Sequence, residues 1–469
     1  MNKETFFFYD LETSGLSPRD DRIMQFAGIR TDLDLNPIGE PVNLLVQLPE
    51  DTLPSPDALM VTKITPQQTR LDGLSEPEFC KYVSEEIFTP GTIAVGYNSV
   101  RFDDEFMRFT FWRNFYDPYE WQWKDGRSRW DLLDVVRMTR ALRPEGIKWP
   151  FQPLRRLNRE TGVREEVLDD DGEPVMVATN RLELITELND IKHEHAHDAL
   201  SDVEALISVT RLIREKQPKL YEYLLAMRDK KRVASLVDLE RPAPFVYSCG
   251  EYPSVYEKTS VAYPLCSGRT PNSILVYDLR YDPDEVVERE KIFPVVKELC
   301  LNKCPAVAPL GVLEADDGWS RIGLSREIVE ENLAKLRAHP EFIKTITGAP
   351  EKEFDEPIDA EAALYDGFLS DSDRTRVEAV RNTEPSRLAG FSPDFSDKRL
   401  AELLVHYKGR NFPDSLSDAE AAEYAKYRIA RLNRQAVGFM KAMERLQSSG
   451  DADEFILEEL GLWWQGLQE

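Results

Sequence analysis

The first part of the chain alternates two kinds of apolar pattern. Short apolar runs at residues 5–9 and 92–97 have the length and composition of buried strands. Longer stretches at 130–141 and 196–214 repeat apolar residues at helical spacing. Strands that alternate with amphipathic helices are typical of an α/β domain with a central sheet, and we place this domain at residues 1–213.

The pattern changes to short strands after about residue 240. The runs 245–247 and 273–277 are rich in β-branched and aromatic residues, and Pro and Gly separate such runs. Ser325 is then a candidate N-cap for a helix. These features predict a second, β-rich domain at residues 214–352.

Helical patterns dominate the rest of the chain. Three stretches have helical spacing, with breaks of Pro, Asp, Ser or Gly between them: 398–407, 418–433 and 455–465. We therefore expect a helical third domain at residues 353–469.

Length and composition agree with several folded domains. A chain of 469 residues is too long for one ordinary core, and 42% hydrophobic with 31% charged residues is a globular profile. The apolar run 6–9 ends at Asp10, which fits neither a signal peptide nor a membrane span. We expect a cytoplasmic protein.

The cysteines are too few and too scattered to form a disulfide framework. Cys300 and Cys304 have the spacing to begin a zinc site, but no second pair of Cys or His residues follows at ligand spacing. We interpret all five as buried apolar residues: Cys80, Cys249, Cys266, Cys300 and Cys304.

The net charge of −26 limits the way in which the protein meets nucleic acid. A protein that coats duplex DNA usually has a basic surplus. A groove that holds one strand needs only local positive charge, and residues 101–160 hold 13 Lys or Arg against 10 Asp or Glu. The charge thus argues against wrapping of DNA and not against a channel.

Two carboxylates lie at the end of the first predicted strand. Because side chains alternate along a strand, Asp10 and Glu12 share one face. Such a pair suits Mg²⁺, which prefers oxygen ligands. The motif is common, and taken alone it is better explained by chance and a solvated strand edge.

Two further groups of polar residues follow later along the chain. Asp103, Asp104 and Glu105 lie at a predicted strand-to-helix junction, where the helix dipole also favours acids. The segment 193–198, His-Glu-His-Ala-His-Asp, holds three of the chain's five histidines. Such a cluster suits a nickel or zinc site, or it places one His beside a water molecule and one Asp at a metal ion.

In chain order these features give Asp10-x-Glu12, then Asp103, then His193 followed five positions later by Asp198. This order is similar to that of the DEDDh exonucleases, and the combination is far more specific than any of its parts. Longer stretches resemble the bacterial exonuclease I family: 97–105, 113–119, 129–135, 364–368 and 407–413.

The resemblance implies an RNase H-like exonuclease domain, an SH3-like β domain and a C-terminal helical domain. It also implies processive 3′→5′ digestion of single-stranded DNA to 5′-mononucleotides by a monomer that acts in DNA repair and recombination. The implied partners are single-stranded DNA and the acidic C-terminal tail of single-stranded DNA-binding protein. The implied cofactor is a pair of Mg²⁺ ions, for which Mn²⁺ substitutes.

The resemblance also implies the roles of the site residues. It assigns Asp10, Glu12, Asp103 and Asp198 to the two ions, and it gives Glu12 a contact with the substrate as well. It assigns His193 as the general base.

Two assignments near His193 stay open. A small shift of the loop puts His195 or His197 in the place of His193, and the family spacing favours His193, with His197 expected to pack structurally. Asp202, one helical turn beyond Asp198, is either a supporting group or an exposed acid, and we favour an exposed acid.

By the same resemblance, Arg108, Tyr119, Trp123 and Arg137 are expected in the DNA groove. Aromatic rings there stack on bases, and arginines pair with phosphates. Most of the other aromatic residues between 101 and 160 are expected in the core.

Arg181 is expected to contact a nucleotide near the active site. The acidic segment 164–179 precedes it and is predicted to be an exposed hairpin with its turn at Asp171-Gly172. This insertion leaves Arg155 and Arg156 as rival phosphate contacts.

Two other functions remain as alternatives. A ribonuclease or a proofreading exonuclease uses the same carboxylates, which do not distinguish sugars, but the two additional domains argue against it. A non-catalytic scaffold on a retired nuclease fold does not need the five expected active-site side chains, and their presence argues against it.

Overall fold

The computed structural model describes residues 4–157, 164–193, 198–288, 295–341, 357–450 and 452–468. Contacts within the chain divide it into two compact units. Unit 1 comprises Met1–Ser128, Glu194–Glu204 and Phe354–Glu469, and unit 2 comprises Arg129–His193 and Ala205–Glu353. Each unit is therefore built from stretches that are distant in sequence.

The strands are, in chain order, β1 (Thr5–Thr13), β2 (Ile23–Thr31), β3 (Val42–Leu45), β4 (Thr92–Gly96), β5 (Ser128–Asp131), β6 (Phe151–Pro153), β7 (Arg155–Leu157), β8 (Arg164–Glu166), β9 (Met176–Ala178), β10 (Phe245–Ser248), β11 (Thr259–Ser267), β12 (Ser273–Asp278), β13 (Val296–Cys300) and β14 (Ala306–Pro309).

The α-helices are, in chain order, α1 (Pro56–Thr62), α2 (Pro66–Asp72), α3 (Glu76–Tyr82), α4 (Asp103–Arg113), α5 (Leu132–Leu142), α6 (Leu182–Leu188), α7 (Ala199–Lys216), α8 (Pro218–Ala226), α9 (Lys230–Leu236), α10 (Pro283–Glu288), α11 (Gly318–Arg321), α12 (Arg326–Ala338), α13 (Asp371–Arg381), α14 (Lys398–Asn411), α15 (Asp418–Ser449) and α16 (Glu454–Gln468).

Strand β1 lies inside the sheet of unit 1. It pairs antiparallel with β2, where Phe8 lies opposite Ile29, and parallel with β4, where Phe8 lies opposite Val95. Residues 6–9 are buried, as expected for a strand that is covered on both faces. Because β1 and β4 are parallel, the residues at their carboxyl ends lie at the same edge of the sheet.

The two ends of the chain share apolar cores in unit 1. One core joins α1 to α15 and α16, and it includes Leu59, Phe439 and Trp463. Another joins α4 to α13 and α14, and it includes Trp112 and Leu403. These shared cores explain why the helical end of the chain belongs to the same compact unit as the first sheet.

A buried ion network joins the same two parts of unit 1. Arg22 donates a hydrogen bond from Nη2 to Glu361 at 2.8 Å, and Arg410 donates from Nε to Asp51 at 2.9 Å. Arg410 also contacts Glu361, and all four side chains are buried. The loss of one partner from such a network leaves a buried charge uncompensated, which costs about 3–5 kcal/mol.

Unit 2 contains an antiparallel sheet in the order β13-β12-β11-β10-β14. Val276, Leu299 and Val307 belong to its core. The β7–β8 and β6–β9 pairs form two small ribbons.

The predicted hairpin at 164–179 is confirmed. Val175 donates its backbone N–H to the carbonyl of Val167 at 2.8 Å, and the two arms join at a turn. Gly172 has a φ of 83° in this turn, a conformation that glycine adopts at little cost.

Most predicted elements are found, and the differences lie at their ends. The helix predicted from Trp130 begins at Leu132, because Ser128–Asp131 is a strand and the Asp131 side chain caps the helix. Ser325 caps α12 as predicted. Among the residues that the structure describes, no helix is long and apolar enough to cross a membrane.

The interpretation of the cysteines is correct in part. Cys80 and Cys249 are buried, whereas Cys266, Cys300 and Cys304 are only partly buried. Cys304 donates its thiol hydrogen to the carbonyl of Arg129, so a polar contact and not only apolar packing holds it.

Candidate active site

Three carboxylates converge in unit 1. Asp10 and Glu12 lie on one face of β1, as the strand alternation predicted, and Asp202 lies in the first turn of α7. One oxygen atom from each of the three lies within 4.8 Å of the others. All three side chains are half-buried, and a set of oxygen donors of this kind suits a hard divalent cation such as Mg²⁺.

Asp103 lies beside this group. It is the first residue of α4 and is buried, at 4% exposure. Burial raises the pKa of Asp10 well above its ordinary value, and the charge of Asp103 is the next largest cause. The parallel pairing of β1 and β4 explains the approach, because Asp103 follows β4 at the edge where β1 ends.

The electrostatics of Glu12 report the same crowding. Burial is the main cause that raises its pKa to about 8, followed by the charges of Asp202, Asp103 and Asp198. Like charges held this close repel one another, and a bound divalent cation relieves the repulsion. The donor set and the field therefore both fit a metal site.

Asp202, rather than Asp198, lies in one group with Asp10 and Glu12, and the metal-ligand role of Asp198 stays a prediction. Asp198 accepts a hydrogen bond at Oδ1 from the backbone N–H of Ser201 at 3.1 Å, which is the contact of a helix N-cap. Its charge acts on Glu12, but it is not a member of the three-carboxylate group. The interpretation of Asp202 as an exposed acid is wrong, because the first turn of α7 places it at the other two carboxylates.

The predicted base lies in a different setting. His193 Nδ1 is 3.1 Å from the hydroxyl oxygen of Thr186, and both residues belong to unit 2. His195 and His197 lie outside the described residues. The role of His193 stays a prediction.

Two of the predicted groove residues lie against each other. Arg108 is 6% exposed and donates to Gln122 at 2.8 Å and to Glu105, and its guanidinium carbon is 5.6 Å from the centre of the Tyr119 ring. The guanidinium group of Arg108 is therefore already paired with an acidic side chain of the protein. Trp123, at 64% exposure, presents a surface on which a base can stack.

The other predicted arginines also have acidic partners. Arg137 pairs with Asp134, and the exposed Arg181 donates from Nε to Glu183 at 2.6 Å. Arg155, the rival of Arg181, pairs with Glu166. The contacts with DNA that were assigned to the groove residues and to Arg181 stay predictions. The residues concerned are Arg108, Tyr119, Trp123, Arg137 and Arg181.

The remaining aromatic residues of this region confirm the core prediction. Seven of them are at most 5% exposed: Phe106, Phe109, Phe111, Trp112, Phe115, Trp121 and Trp130.

Family models match three successive segments of the chain. They are described as Exonuclease at residues 7–210, Exonuclease I SH3-like domain at 228–349, and Exonuclease I C-terminal domain at 358–467. Each matched segment lies within one of the ranges 1–213, 214–352 and 353–469, whose boundaries stay a prediction.

Curated relatives match over nearly the whole length. The exodeoxyribonuclease I of Haemophilus influenzae is 40% identical over 94% of this chain and 93% of its own. The chain belongs to the exodeoxyribonuclease I family. The Escherichia coli exodeoxyribonuclease I is 37% identical over 100% of this chain and 98% of its own.

Solved structures of exonuclease I agree with this membership. Escherichia coli exonuclease I in complex with a dA16 oligonucleotide has a TM-score of 0.89 at 35% identity, covering 99% of this chain and 100% of that one. A zinc-bound complex of the same enzyme with single-stranded DNA has a TM-score of 0.90 at 34% identity, covering 100% of both chains. A complex named SSB/exonuclease I with an inhibitor has a TM-score of 0.86 at 36% identity, covering 100% of this chain and 99% of that one.

The predicted enzyme class and the predicted fold are thus confirmed. This member of the exodeoxyribonuclease I family combines an exonuclease domain, an SH3-like domain and a helical C-terminal domain. Bovine oligoribonuclease, a relative that acts on RNA by its name, is 31% identical over only 21% of this chain. This match therefore covers about a fifth of the chain, whereas the exodeoxyribonuclease I relatives cover nearly all of it.

Proposed function

We propose that this protein digests single-stranded DNA processively from the 3′ end and releases 5′-mononucleotides with the help of two divalent metal ions. The observation that carries the proposal is the convergence of Asp10, Glu12 and Asp202, with Asp103 beside them, in a full-length member of the exodeoxyribonuclease I family. The oxygen donor set supports Mg²⁺, with Mn²⁺ as a substitute.

Four carboxylates would hold the ions: Asp10, Glu12, Asp103 and Asp202. When bound, the ions polarise the phosphodiester and offset the charge that develops on its oxygens. The protein's own contribution is to orient these carboxylates, and the pairing of β1 with β4 brings three of them to one edge of the sheet. Glu12, whose pKa is raised to about 8, must lose its proton to take part.

The general base follows from the position of Asp202. The interval of five residues that placed His193 before Asp198 places His197 before Asp202. We therefore assign His197 as the base, whose neutral imidazole takes a proton from the attacking water. The hydrogen bond between His193 and Thr186 supports a structural role for His193.

The DNA path remains as the family resemblance implies. Trp123 is the best supported contact, because its ring is exposed. Arg137, Arg181 and Tyr119 belong to the same proposal, and Arg108 acts through Tyr119, since its own charge is already paired.

The structure named SSB/exonuclease I supports a partnership with single-stranded DNA-binding protein. That its acidic C-terminal tail makes the contact is what the family resemblance implies. We propose further, on the family resemblance, that the protein is a cytoplasmic monomer that acts in DNA repair and recombination.

A digest of end-labelled oligonucleotides tests the proposal. Single-stranded DNA with a 3′ label should release labelled mononucleotide at once, whereas DNA with a 5′ label should pass from full length to a short labelled end product with few intermediates. EDTA should abolish both reactions. Matched RNA should resist, and degradation of RNA at the rate of DNA, or mononucleotide release from the 5′ end, would contradict the proposal.

A further inference from the structure

A buried hydrogen bond joins the two segments that carry the carboxylates. The Tyr9 hydroxyl donates to Asp104 Oδ1 at 2.6 Å, and each residue is 1% exposed. Tyr9 immediately precedes Asp10 on β1, and Asp104 immediately follows Asp103 on α4. The distance is at the short end of the range for O–H···O hydrogen bonds. Each partner is thus the chain neighbour of a carboxylate of the site.

The ring of Tyr9 has little freedom to move. Its centre lies 6.0 Å from the centre of the Phe26 ring in a stacked contact. The rings of Phe88 and Trp121 make edge-on contacts with it, at centre-to-centre distances of 6.1 Å and 6.5 Å. All four rings belong to one core cluster. A hydroxyl on a ring held in this way cannot follow Asp104 if α4 shifts, so it fixes the position of the helix.

The first turn of α4 needs such a restraint. It carries Asp103, Asp104 and Glu105, and the charge of Asp103 faces that of Asp10. A divalent ion binds to the ionised forms of Asp103 and Asp10, and repulsion between these two charges pushes the helix away from the strand until the ion lies between them. Because side chains alternate along β1, Tyr9 acts on the side opposite Asp10, and its bond to Asp104 opposes that separation.

We propose that Tyr9 is a positioning residue for the metal site: through Asp104, its hydroxyl holds the first turn of α4 against β1 and keeps Asp103 at Asp10. The inference rests on the proposed metal-dependent function, and it adds a residue that touches neither metal nor DNA. Substitution of a residue that orients metal ligands without touching the metal typically lowers metal affinity by about 10- to 100-fold.

The test uses Tyr9→Phe in the full-length protein, with Tyr277→Phe as the matched control. Tyr277 is also buried and donates its hydroxyl to the carbonyl of Tyr281 at 3.0 Å, but it belongs to unit 2, which contains none of the four carboxylates. Calorimetric titration of Mn²⁺ into the DNA-free protein measures the affinity. Tyr9→Phe should bind about tenfold more weakly than wild type, and Tyr277→Phe should bind as wild type does.

Two further measurements separate positioning from a general loss of structure. Asp104→Asn keeps an oxygen that accepts from Tyr9, and it should retain most of the affinity. The cleavage rate of Tyr9→Phe should recover when the metal concentration is raised, because the chemistry itself is intact.

Each remaining outcome is decisive. Equal Mn²⁺ affinity in wild type and Tyr9→Phe overturns the inference, and so does an equal loss in Tyr9→Phe and Tyr277→Phe. A wild-type protein that binds no Mn²⁺ refutes the proposed metal-dependent function instead, and the inference fails with it.

Discussion

The choice between Asp202 and Asp198 is the most direct test of the site, and a pair of isosteric substitutions makes it. Asp202→Asn and Asp198→Asn each remove one negative charge within the same short segment. An ion held among the three carboxylate oxygens lies less than 4.8 Å from each of them. We expect Asp202→Asn to weaken metal binding strongly and Asp198→Asn to weaken it little.

The magnitude follows from the distance. At 4.8 Å, the upper limit of this distance, a divalent ion and a carboxylate attract by about 1.7 kcal/mol in water and by about 7 kcal/mol at an effective dielectric constant of 20. Because Asp202 is half-buried, a value near the lower end applies, about 2–3 kcal/mol. Mg²⁺ binding should therefore weaken by about 30- to 150-fold.

Asp198→Asn should behave differently for a structural reason. Asn accepts the hydrogen bond from Ser201 as Asp does, so the start of α7 is preserved. Calorimetric titration of Mg²⁺ or Mn²⁺ into the DNA-free variants gives the affinities, and single-turnover digestion of a labelled oligonucleotide gives the rates. A large loss in Asp198→Asn together with near-normal binding in Asp202→Asn would refute the reasoning and restore the assignment made from the sequence.

Five further outcomes are expected. His197→Ala should slow single-turnover cleavage by about 10²- to 10⁴-fold with little change in DNA binding by fluorescence anisotropy. His193→Ala should leave both the cleavage rate and DNA binding nearly unchanged. Mg²⁺ affinity should rise with pH up to about 8, because Glu12 must release its proton, and titrations at several pH values measure this. In the metal-free protein, the free energy of unfolding should fall as the pH rises from 4.5 to about 8, since the folded chain retains a Glu12 proton that the unfolded chain has lost, and denaturant melts at several pH values check the sign. Trp123→Ala should weaken binding of single-stranded DNA by about 1–3 kcal/mol without lowering the melting temperature. Glu361→Gln should lower the free energy of unfolding by about 3–5 kcal/mol and leave the metal affinity unchanged.

The local features of the fold were predictable because short-range chemistry decides them. The strand that carries Asp10 and Glu12 follows from a run of apolar residues, and the alternation of side chains puts both carboxylates on one face. The turn at Gly172 and the cap at Ser325 depend on the conformations that these residues favour.

Contacts between segments that are distant in the chain could not be predicted from the sequence. The aromatic residues of α4 pack against the C-terminal helices, so a predicted third domain shares its cores with the first sheet. Such outcomes depend on which surfaces pack together, and residue spacing along the chain does not contain that information.

The sequence by itself determined the class of the enzyme, because its motifs and family resemblance identify the chemistry: acidic residues at the ends of two predicted strands and a His/Asp segment before a helix. Only the tertiary structure decided which acid of that helix faces the others. Asp198 and Asp202 lie one helical turn apart, and the position at which α7 begins turns the first into a cap and the second into a member of the carboxylate group. Residues four apart lie on nearly the same side of a helix, so residue spacing alone does not decide which of the two acids meets Asp10 and Glu12. The placement of α7 next to β1 decides it.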